Sequence, residues 1–464
     1  MALGFRQALA AVVSLGGGVI LARLLSPSQF GLYAVFVFAL GVLSIFGDVG
    51  LGASLIRNVT EPSTHEYRAV FTAQELLLAI CVVALFFAAP FIAAAYRLPP
   101  DDAWLFRLAS LSLVPTSLQV IPSIRLERDL RFGRLALVEV SQTVVYNVTA
   151  VLLVLLGYGV WGLAIAIVAR STVGALLANL VSPWRIGFAW DLAMVRRHIG
   201  FGLPYQAASW ASLAKDSINP VLVGLLLGAA QVGYLNWAGT LAAYPVLALM
   251  VLQRLYLPAF SKMRQYPAEL ERLVEMVVRG TNTIVAPFAI LCLVLAVPIT
   301  RIVFGDKWLP AIPFFYLLWP ANVFVATVTP LYGLLNALGR SRTTLGFALL
   351  WMTTTWVFGV PLIAVLGPIG FAVANLLVQL TNFLVFRVAR QAVPLHLASA
   401  ILPAWTTACA VGVLVGVFAY IVPITNVVVL GVVGLGGLTL YAVATATLNA
   451  ADTRAVWALI REKR

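Results

Sequence analysis

The sequence predicts an all-α polytopic membrane protein. Hydrophobic residues make up 62% of its 464 residues and charged residues only 10%, whereas soluble domains carry about a quarter charged residues. The apolar residues form runs of about 20, the length that a helix needs to cross about 30 Å of hydrocarbon. The net charge of +13 is divided among short basic clusters between these runs, which argues against a nucleic-acid-binding patch.

Fourteen runs are long enough to span a membrane as helices. Six precede a polar connection, six follow it, and a pair ends the chain. The predicted bounds are 5–24, 30–55, 69–96, 104–122, 135–157, 160–181, 200–227, 231–257, 274–304, 309–337, 343–366, 368–389, 398–421 and 425–448.

The arginines and lysines predict the orientation of these spans, because short cytoplasmic loops are enriched in them. With the N-terminus inside, twenty-three basic residues lie on the cytoplasmic side, five lie outside and two, Arg170 and Lys215, lie within spans. Both termini are therefore predicted to be cytoplasmic.

An internal repeat relates the two sets of six spans. The segment LARLLSPSQFGLY at 21–33 resembles LVGLLLGAAQVGY at 222–234, and LGYGVWGLA at 156–164 resembles LGPIGFA at 366–372. Because each set has an even number of spans, both sets share one orientation, which predicts two six-helix bundles related by a parallel pseudo-two-fold along the membrane normal. Chance similarity of glycine-rich turns is the alternative. The predicted units are 1–182, a cytoplasmic interfacial linker 183–199, 200–393, and an extra helix pair with a tail at 394–464.

Polar side chains within spans mark candidate cavity residues, since a charge at mid-bilayer costs about 2.5–3.5 kcal/mol on insertion scales. Five of them lie within about 120° of one face of the seventh span and precede Pro220, where a bend is permitted. They are Ser209, Ser212, Lys215, Asp216 and Asn219. Adjacent Lys215 and Asp216 are expected to seek other partners than each other. A cavity lining and a packing seam both explain this stripe.

Weaker stripes occur on the fifth and twelfth spans, and hydrogen bonding between helices explains them as well as a pore does. They comprise Glu139, Gln142, Thr143, Tyr146 and Asn147, and then Asn375, Gln379 and Asn382. Arg170 lies near the middle of the sixth span with no acidic residue within a turn. It is therefore expected to meet Glu75, Asp216 or an anionic substrate across a gap.

No enzyme motif, metal site or cofactor fingerprint is present in the sequence. It lacks a P-loop, GxSxG, HExxH and a dinucleotide-binding pattern. The three cysteines have no paired spacing, and His65, His198 and His396 are predicted to lie apart in polar connections. The chain is therefore predicted to be no enzyme and to need no cofactor or metal.

Several segments together resemble the Wzx-type polysaccharide flippases of the multidrug/oligosaccharidyl-lipid/polysaccharide (MOP) exporter superfamily. They are LARLLSPSQFGLYAV at 21–35, FGDVGLGASLIRN at 46–58, LRFGRLALVEV at 130–140, LGYGVWGLA at 156–164, FGLPYQAASW at 201–210 and FGDKWLPAIPF at 304–314. The resemblance implies two six-helix bundles around a cationic cavity, and export of polyprenyl-diphosphate-linked glycans by alternating access. Such proteins usually carry an acidic residue where this chain has Asn219, although Asp216 lies one turn earlier, so no ion-coupling residue is transferred from the family.

These observations predict a flippase of the bacterial inner membrane for undecaprenyl-diphosphate-type lipid-linked oligosaccharides. Five cations are candidates for contacting the diphosphate because guanidinium and ammonium groups pair strongly with phosphate oxygens: Arg6, Arg23, Arg57, Arg170 and Lys215. Arg23 fits lipid-headgroup snorkelling equally well. Lys215 and Asp216 are the candidates for coupling to an ion gradient. Membrane lipids and polysaccharide polymerase or chain-length machinery are the further partners considered. A lipid II-type flippase, a multidrug exporter of the same superfamily and a non-transporting scaffold for glycan synthases are the alternatives.

Overall fold

The computed structural model describes residues 2–57, 61–247 and 249–448. Within these ranges the chain folds into twenty α-helices and no β-strand. The helices are α1 Ala2–Leu24, α2 Pro27–Asp48, α3 Leu51–Arg57, α4 Thr64–Ala95, α5 Ala103–Ser110, α6 Leu113–Arg128, α7 Phe132–Leu155, α8 Val160–Val181, α9 Leu192–Asp216, α10 Gly224–Leu227, α11 Ala229–Leu247, α12 Met250–Met263, α13 Pro267–Val294, α14 Ala296–Ile299, α15 Ile312–Ala337, α16 Ser341–Leu366, α17 Pro368–Leu380, α18 Phe383–Ala392, α19 Leu397–Ile421 and α20 Val427–Leu448.

Eleven of the described helical segments are long and apolar enough to cross a membrane. Each of them coincides with one of the predicted spans, which confirms an all-helical, multi-pass membrane protein. The predicted spans 5–24, 200–227 and 231–257 fall on α1, on α9 to α10 and on α11 to α12, which are helical but shorter, interrupted or more polar. The total of fourteen spans therefore stays a prediction.

Ser26 and Pro27 in the repeated segment separate α1 from α2, and Ser26 forms a full capping box with Gln29. The Ser26 hydroxyl accepts from the Gln29 backbone N–H at 3.2 Å, and the Gln29 side-chain oxygen accepts from the Ser26 N–H at 2.9 Å. Pro27 occupies the first turn, where a missing N–H costs nothing. This sequence ends one helix and begins the next within three residues.

Two compact units divide the chain, one ending at Gly233 and the other beginning at Tyr234. In the first unit, α3, α4, α6 and α9 share a core that includes Leu55, Phe71 and Ile121. Residues 192–199, predicted as part of the linker, form the first two turns of α9. The reason is local, because the Asp191 carboxylate accepts from the Met194 N–H at 2.9 Å and caps the helix there.

A π-helix over Ile218–Val223 follows α9 and contains Pro220. A proline inside a helix removes one backbone hydrogen bond, and a local π-turn is one way to accommodate it. The Tyr96 hydroxyl donates to the Pro220 carbonyl at 2.6 Å. A Cβ atom on Gly224 would lie 2.4 Å from the Tyr96 ring, so the ring packs directly on the helix backbone here.

Helix α2 meets other backbones at both of its ends. Near its start, a Cβ on Gly31 would lie 1.7 Å from the Ala229 carbonyl oxygen, and one on Gly233 would lie 2.0 Å from the Pro27 carbonyl oxygen. Just beyond its end, a Cβ on Gly50 would lie 2.4 Å from the Gly202 carbonyl oxygen. Gly31 and Gly233 occupy matching positions of the sequence repeat, so the two copies of that repeat contact each other.

The second unit is built on α13. A buried amide, Asn282, links three of its helices: its side-chain oxygen accepts from Thr327 on α15 at 2.9 Å and from the Trp405 indole on α19 at 2.8 Å. The last helix, α20, is attached by the Tyr441 hydroxyl, which donates to the Thr283 carbonyl at 3.1 Å. The predicted extra helix pair therefore packs against the core of this unit.

Candidate functional site

Arg170 of α8 is exposed, and two tyrosines of neighbouring helices in the first unit lie within range of its charge. The Tyr146 hydroxyl of α7 donates to the Tyr33 hydroxyl of α2 at 2.6 Å. The guanidinium of Arg170 interacts electrostatically with both phenols. Across the described ranges, Arg170 forms no hydrogen bond and no ion pair with a protein group. Neither Glu75 nor Asp216, its predicted acidic partners, pairs with it.

A second polar pair lies one turn along α8 from Arg170. The Gln142 amide of α7 donates to the Gln119 side-chain oxygen of α6 at 2.7 Å. The pair packs directly on the α8 backbone, because a Cβ on Gly174 would lie 1.7 Å from the Gln142 nitrogen. The side chains of Tyr33, Tyr146 and Gln142 therefore form a polar strip beside Arg170.

The predicted stripe on α7 divides between two roles. Gln142 and Tyr146 belong to the strip beside Arg170, whereas Glu139 is exposed. Asn147 is buried and donates to the Thr143 carbonyl at 2.8 Å. It also fills the space over Gly17 of α1, where a Cβ would lie 1.9 Å from its side-chain oxygen. This end of the stripe serves helix packing.

Lys215 and Asp216 form an ion pair with each other, with the Lys215 Nζ 2.6 Å from the Asp216 Oδ1. The expectation that they would not pair is therefore wrong. The reason is that the long, flexible lysine side chain reaches the adjacent carboxylate at the end of α9, where the regular helix stops and the π-helix begins. The pair is exposed enough to meet solvent, since 34% of the lysine side chain and 64% of the aspartate side chain are accessible.

The remaining predicted residues of the seventh span differ in exposure. Ser209 and Asn219 are half-buried and Ser212 is exposed. The Asn219 side-chain oxygen is buried and has no hydrogen-bond partner within the part of the chain that the structure describes. It lies inside the π-helix beside Pro220.

The other predicted cations lie on other helices, or their side chains are outside the described residues. Arg23 is exposed in the last turn of α1, one turn before the capping box. The side chains of Arg6 and Arg57 lie outside the described residues. Asn375 and Gln379 are half-buried on α17 in the second unit, where Gln379 accepts a hydrogen bond from Asn382.

A cavity of about 280 Å³ in the first unit was not predicted, and Asp48 is among its polar lining residues. The carboxylate accepts from the Gln74 amide at 2.7 Å and from the backbone N–H groups of Gly50 and Gly52, both at 3.2 Å. The Gln206 amide of α9 completes this set at 3.4 Å. Asp48 thus fixes the turn between α2 and α3.

His198 was placed in a polar connection, and that prediction is wrong. It lies inside α9 and is only 4% exposed. Its Nδ1 is 2.7 Å from the Ser54 hydroxyl, and its Nε2 is 2.9 Å from the Glu66 carboxylate. His396 also has acidic neighbours, with its Nδ1 3.5 Å from Glu271 and 3.4 Å from Glu275. The histidines are therefore apart from one another, but two of them bridge separate helices.

The strip beside Arg170 can bind an anion. A guanidinium carries five N–H donors in a planar fork, and the Tyr33 hydroxyl, which accepts from Tyr146, keeps its own O–H to donate, so together they match the oxygens of a phosphate group. A cation within a span persists mainly where it faces a wet cavity or an anionic partner.

Known proteins resemble this chain in sequence, and solved structures resemble it in fold. The chain is 25% identical over 397 residues to the lipopolysaccharide biosynthesis protein WzxC of Escherichia coli, covering 81% of this chain and 77% of that protein. It is 26% identical over 340 residues to the succinoglycan biosynthesis transport protein ExoT of Rhizobium meliloti, covering 72% of this chain and 68% of that protein.

Among solved structures, the fold resembles that of the lipid II flippase MurJ in an inward closed conformation. The TM-score is 0.80 at 14% identity, over 97% of this chain and 99% of that one. An inward-facing multidrug resistance MATE family transporter of the MOP superfamily gives a TM-score of 0.59 at 15% identity, over 82% and 95% of the two chains. At these identities the likeness concerns the fold alone.

The sequence profile described as polysaccharide biosynthesis protein matches residues 20–313. Since this match covers well over half of the chain, the protein belongs to the polysaccharide biosynthesis protein family.

Proposed function

We propose that this protein flips oligosaccharides linked to undecaprenyl diphosphate across the bacterial inner membrane, for the assembly of a surface polysaccharide. Its family and its relatives WzxC and ExoT, which are named for lipopolysaccharide biosynthesis and succinoglycan transport, support this class of cargo. The substrate carries a diphosphate and hydrated sugars, neither of which crosses hydrocarbon unaided. Transport by alternating access, without catalysis of a reaction, is the proposed mechanism.

The observation that carries the proposal is Arg170. It lies midway along an apolar helix, it is exposed, and within the described ranges it lacks an anionic partner. An unpaired charge costs about 2.5–3.5 kcal/mol within a span, which a bound diphosphate would offset by direct pairing. The Tyr33 hydroxyl accepts from Tyr146 and has its own O–H to donate. In this proposal Arg170 binds the diphosphate, Tyr33 donates to it, and Tyr146 holds the Tyr33 hydroxyl in place.

The proposed architecture comprises fourteen spans with both termini in the cytoplasm. Two six-helix bundles, 1–182 and 200–393, are related by a parallel pseudo-two-fold, and residues 394–464 add the extra helix pair. Arg6, Arg23, Arg57 and Lys215 provide further phosphate contacts along the path. The Lys215–Asp216 ion pair is the proposed ion-coupling element, since a coupling cation bound at the Asp216 carboxylate would release the lysine for the substrate.

The test is a flipping assay in proteoliposomes with a fluorescent undecaprenyl-diphosphate oligosaccharide. Arg170→Gln should slow flipping about tenfold or more, because a hydrogen bond to a charged group contributes about 1.5–3 kcal/mol. Arg170→Lys should retain part of the activity, since it keeps the charge but loses the planar fork. Arg185→Gln is the matched control, because Arg185 is also exposed and lies in the connection before α9.

Equal flipping by wild type and Arg170→Gln would remove the proposed role of Arg170. The substrate panel should also contain lipid II and an organic cation. If the protein transports lipid II instead of the lipid-linked oligosaccharide, it acts as a lipid II flippase. If it transports the organic cation instead, it acts as a multidrug exporter. Transport of none of the three by folded wild-type protein would leave the scaffold for glycan synthases as the function.

A further inference from the structure

Three helices of the second unit, α15, α18 and α19, enclose a cleft of about 390 Å³. Its wall is aromatic and aliphatic, with Phe324 of α15 against Phe383 of α18 at a centroid distance of 5.3 Å and Phe386 beside it. Ile401 and Trp405 of α19 form the other side. Thr327 and Trp405 also line the cleft, but their polar hydrogens are donated to Asn282 in the core. The cleft therefore presents aliphatic and aromatic surfaces to a bound molecule.

One charged residue lines this cleft. Arg390 lies in the last turn of α18 and is exposed. It forms neither a hydrogen bond nor an ion pair with any residue that the structure describes. The neighbouring acids are directed elsewhere, since Glu271 and Glu275 of α13 face His396 at the start of α19. The cleft thus combines an apolar slot with a guanidinium that has no internal counter-ion.

The position of Arg390 suits a lipid headgroup. The span 368–392 ends two residues after it, so its guanidinium lies at the level where a helix leaves the hydrocarbon. Basic pockets between membrane helices on the cytoplasmic side bind anionic lipid headgroups, and a guanidinium pairs with phosphate oxygens through two parallel hydrogen bonds. A zwitterionic lipid fills the apolar slot equally well, but its own ammonium group competes for the phosphate.

We propose that this cleft is a binding site for an anionic glycerophospholipid, with an acyl chain between α15, α18 and α19 and the phosphate on Arg390. The site is separate from the strip beside Arg170 and does not depend on the proposed function. Because α19 belongs to the extra helix pair, the bound lipid joins that pair to α15 and α18.

The experiment is native mass spectrometry of the detergent-purified full chain with phosphatidylglycerol or phosphatidylcholine of identical acyl chains. Wild type should retain phosphatidylglycerol about fivefold better, the effect of one basic residue near an anionic headgroup. Arg390→Gln should abolish this preference. Arg387→Gln is the matched control, since Arg387 is an exposed arginine one turn earlier on α18 that does not line the cleft. Ile401→Trp should lower retention of both lipids by filling the slot.

Three results would overturn the proposal. The first is an equal preference in Arg390→Gln and Arg387→Gln. The second is unchanged phosphatidylglycerol retention in a folded Ile401→Trp variant. The third is displacement of phosphatidylglycerol by equimolar undecaprenyl phosphate in wild type, which would assign the cleft to a polyprenyl carrier. Should Ile401→Trp not fold, bromine on the phosphatidylglycerol acyl chain should quench tryptophan emission more in wild type than in Arg390→Gln, and equal quenching would also contradict the site.

Discussion

Gly31→Ala should open the contact between α2 and the start of α11. The added methyl would lie 1.7 Å from the Ala229 carbonyl oxygen, whereas ordinary van der Waals contact begins at 3.4 Å. The two backbones must therefore separate by about 1.7 Å along that line. No side chain can move aside to relieve the clash, because the obstructing atom is a backbone carbonyl.

The size of the effect follows from the clash. An alanine in a helix interior is favoured over glycine by about 0.5–1 kcal/mol. Because α2 is helical in both arrangements, this gain does not change their ratio. Overpacking at a close contact costs typically about 1–3 kcal/mol in the closed arrangement only. The open arrangement should therefore become about 5–150-fold more populated, the range that corresponds to 1–3 kcal/mol.

Thiol accessibility at position 232 measures this population. Val232 is fully buried and precedes Gly233, so Val232→Cys in a background without Cys81, Cys292 and Cys409 should react with a maleimide only when the contact opens. The labelling rate of purified protein should rise in Gly31→Ala. Gly41→Ala is the matched control, because Gly41 lies on the same helix and a methyl added there would have nothing within 4 Å. Equal labelling rates in the two variants would refute the reasoning.

Three further substitutions test the local structure through the thermal midpoint of the purified protein. Ser26→Ala removes the capping box and should cost about 1 kcal/mol, whereas Ser28→Ala on the exposed side of the same turn should be neutral; equal midpoints would contradict the cap. His198→Ala should cost about 1–3 kcal/mol because it leaves Ser54 and Glu66 without their shared partner, and exposed His65→Ala should not. Tyr96→Phe should cost about 1 kcal/mol by removing the hydrogen bond to Pro220, while a similar loss in exposed Tyr158→Phe would show that the hydroxyl contact is not the cause.

The sequence predicts the membrane class and most helices of this fold, because hydrocarbon imposes a strong length and composition requirement on each span. Helix ends were less predictable. The start of α9 was missed because LAMVRRHIGFGLP at 192–204 mixes basic and apolar residues, and the cap at Asp191 was not recognised. The break at Ser26 and Pro27 falls between the predicted spans 5–24 and 30–55, since those two residue types initiate helices by local geometry alone.

The candidate site was predicted only in part. Arg170 and Tyr146 were found from their positions in spans, but Tyr33 was missed although a phenol in an apolar helix needs a hydrogen-bond partner. The Lys215–Asp216 pair was missed because the rule for helix faces considers neighbours three and four residues apart. The contacts of His198 join residues 144 and 132 positions apart, and no pattern in a single sequence indicates such pairs.

The repeated segment has a physical consequence for the proposed transport cycle. Its two copies meet through Gly31 and Gly233, and the other end of α2 meets α9 through Gly50 and Gly202. Interlocked large side chains would cost about 2–5 kcal/mol each to separate, whereas facing glycines lose mainly weak backbone dispersion contacts. Alternating access requires states within a few kcal/mol of each other, so contacts that open must be weak individually. Under the proposed mechanism, the contact at one end of α2 opens while the contact at the other end stays closed. Glycine at all four positions keeps the free energy of opening each contact within a few kcal/mol.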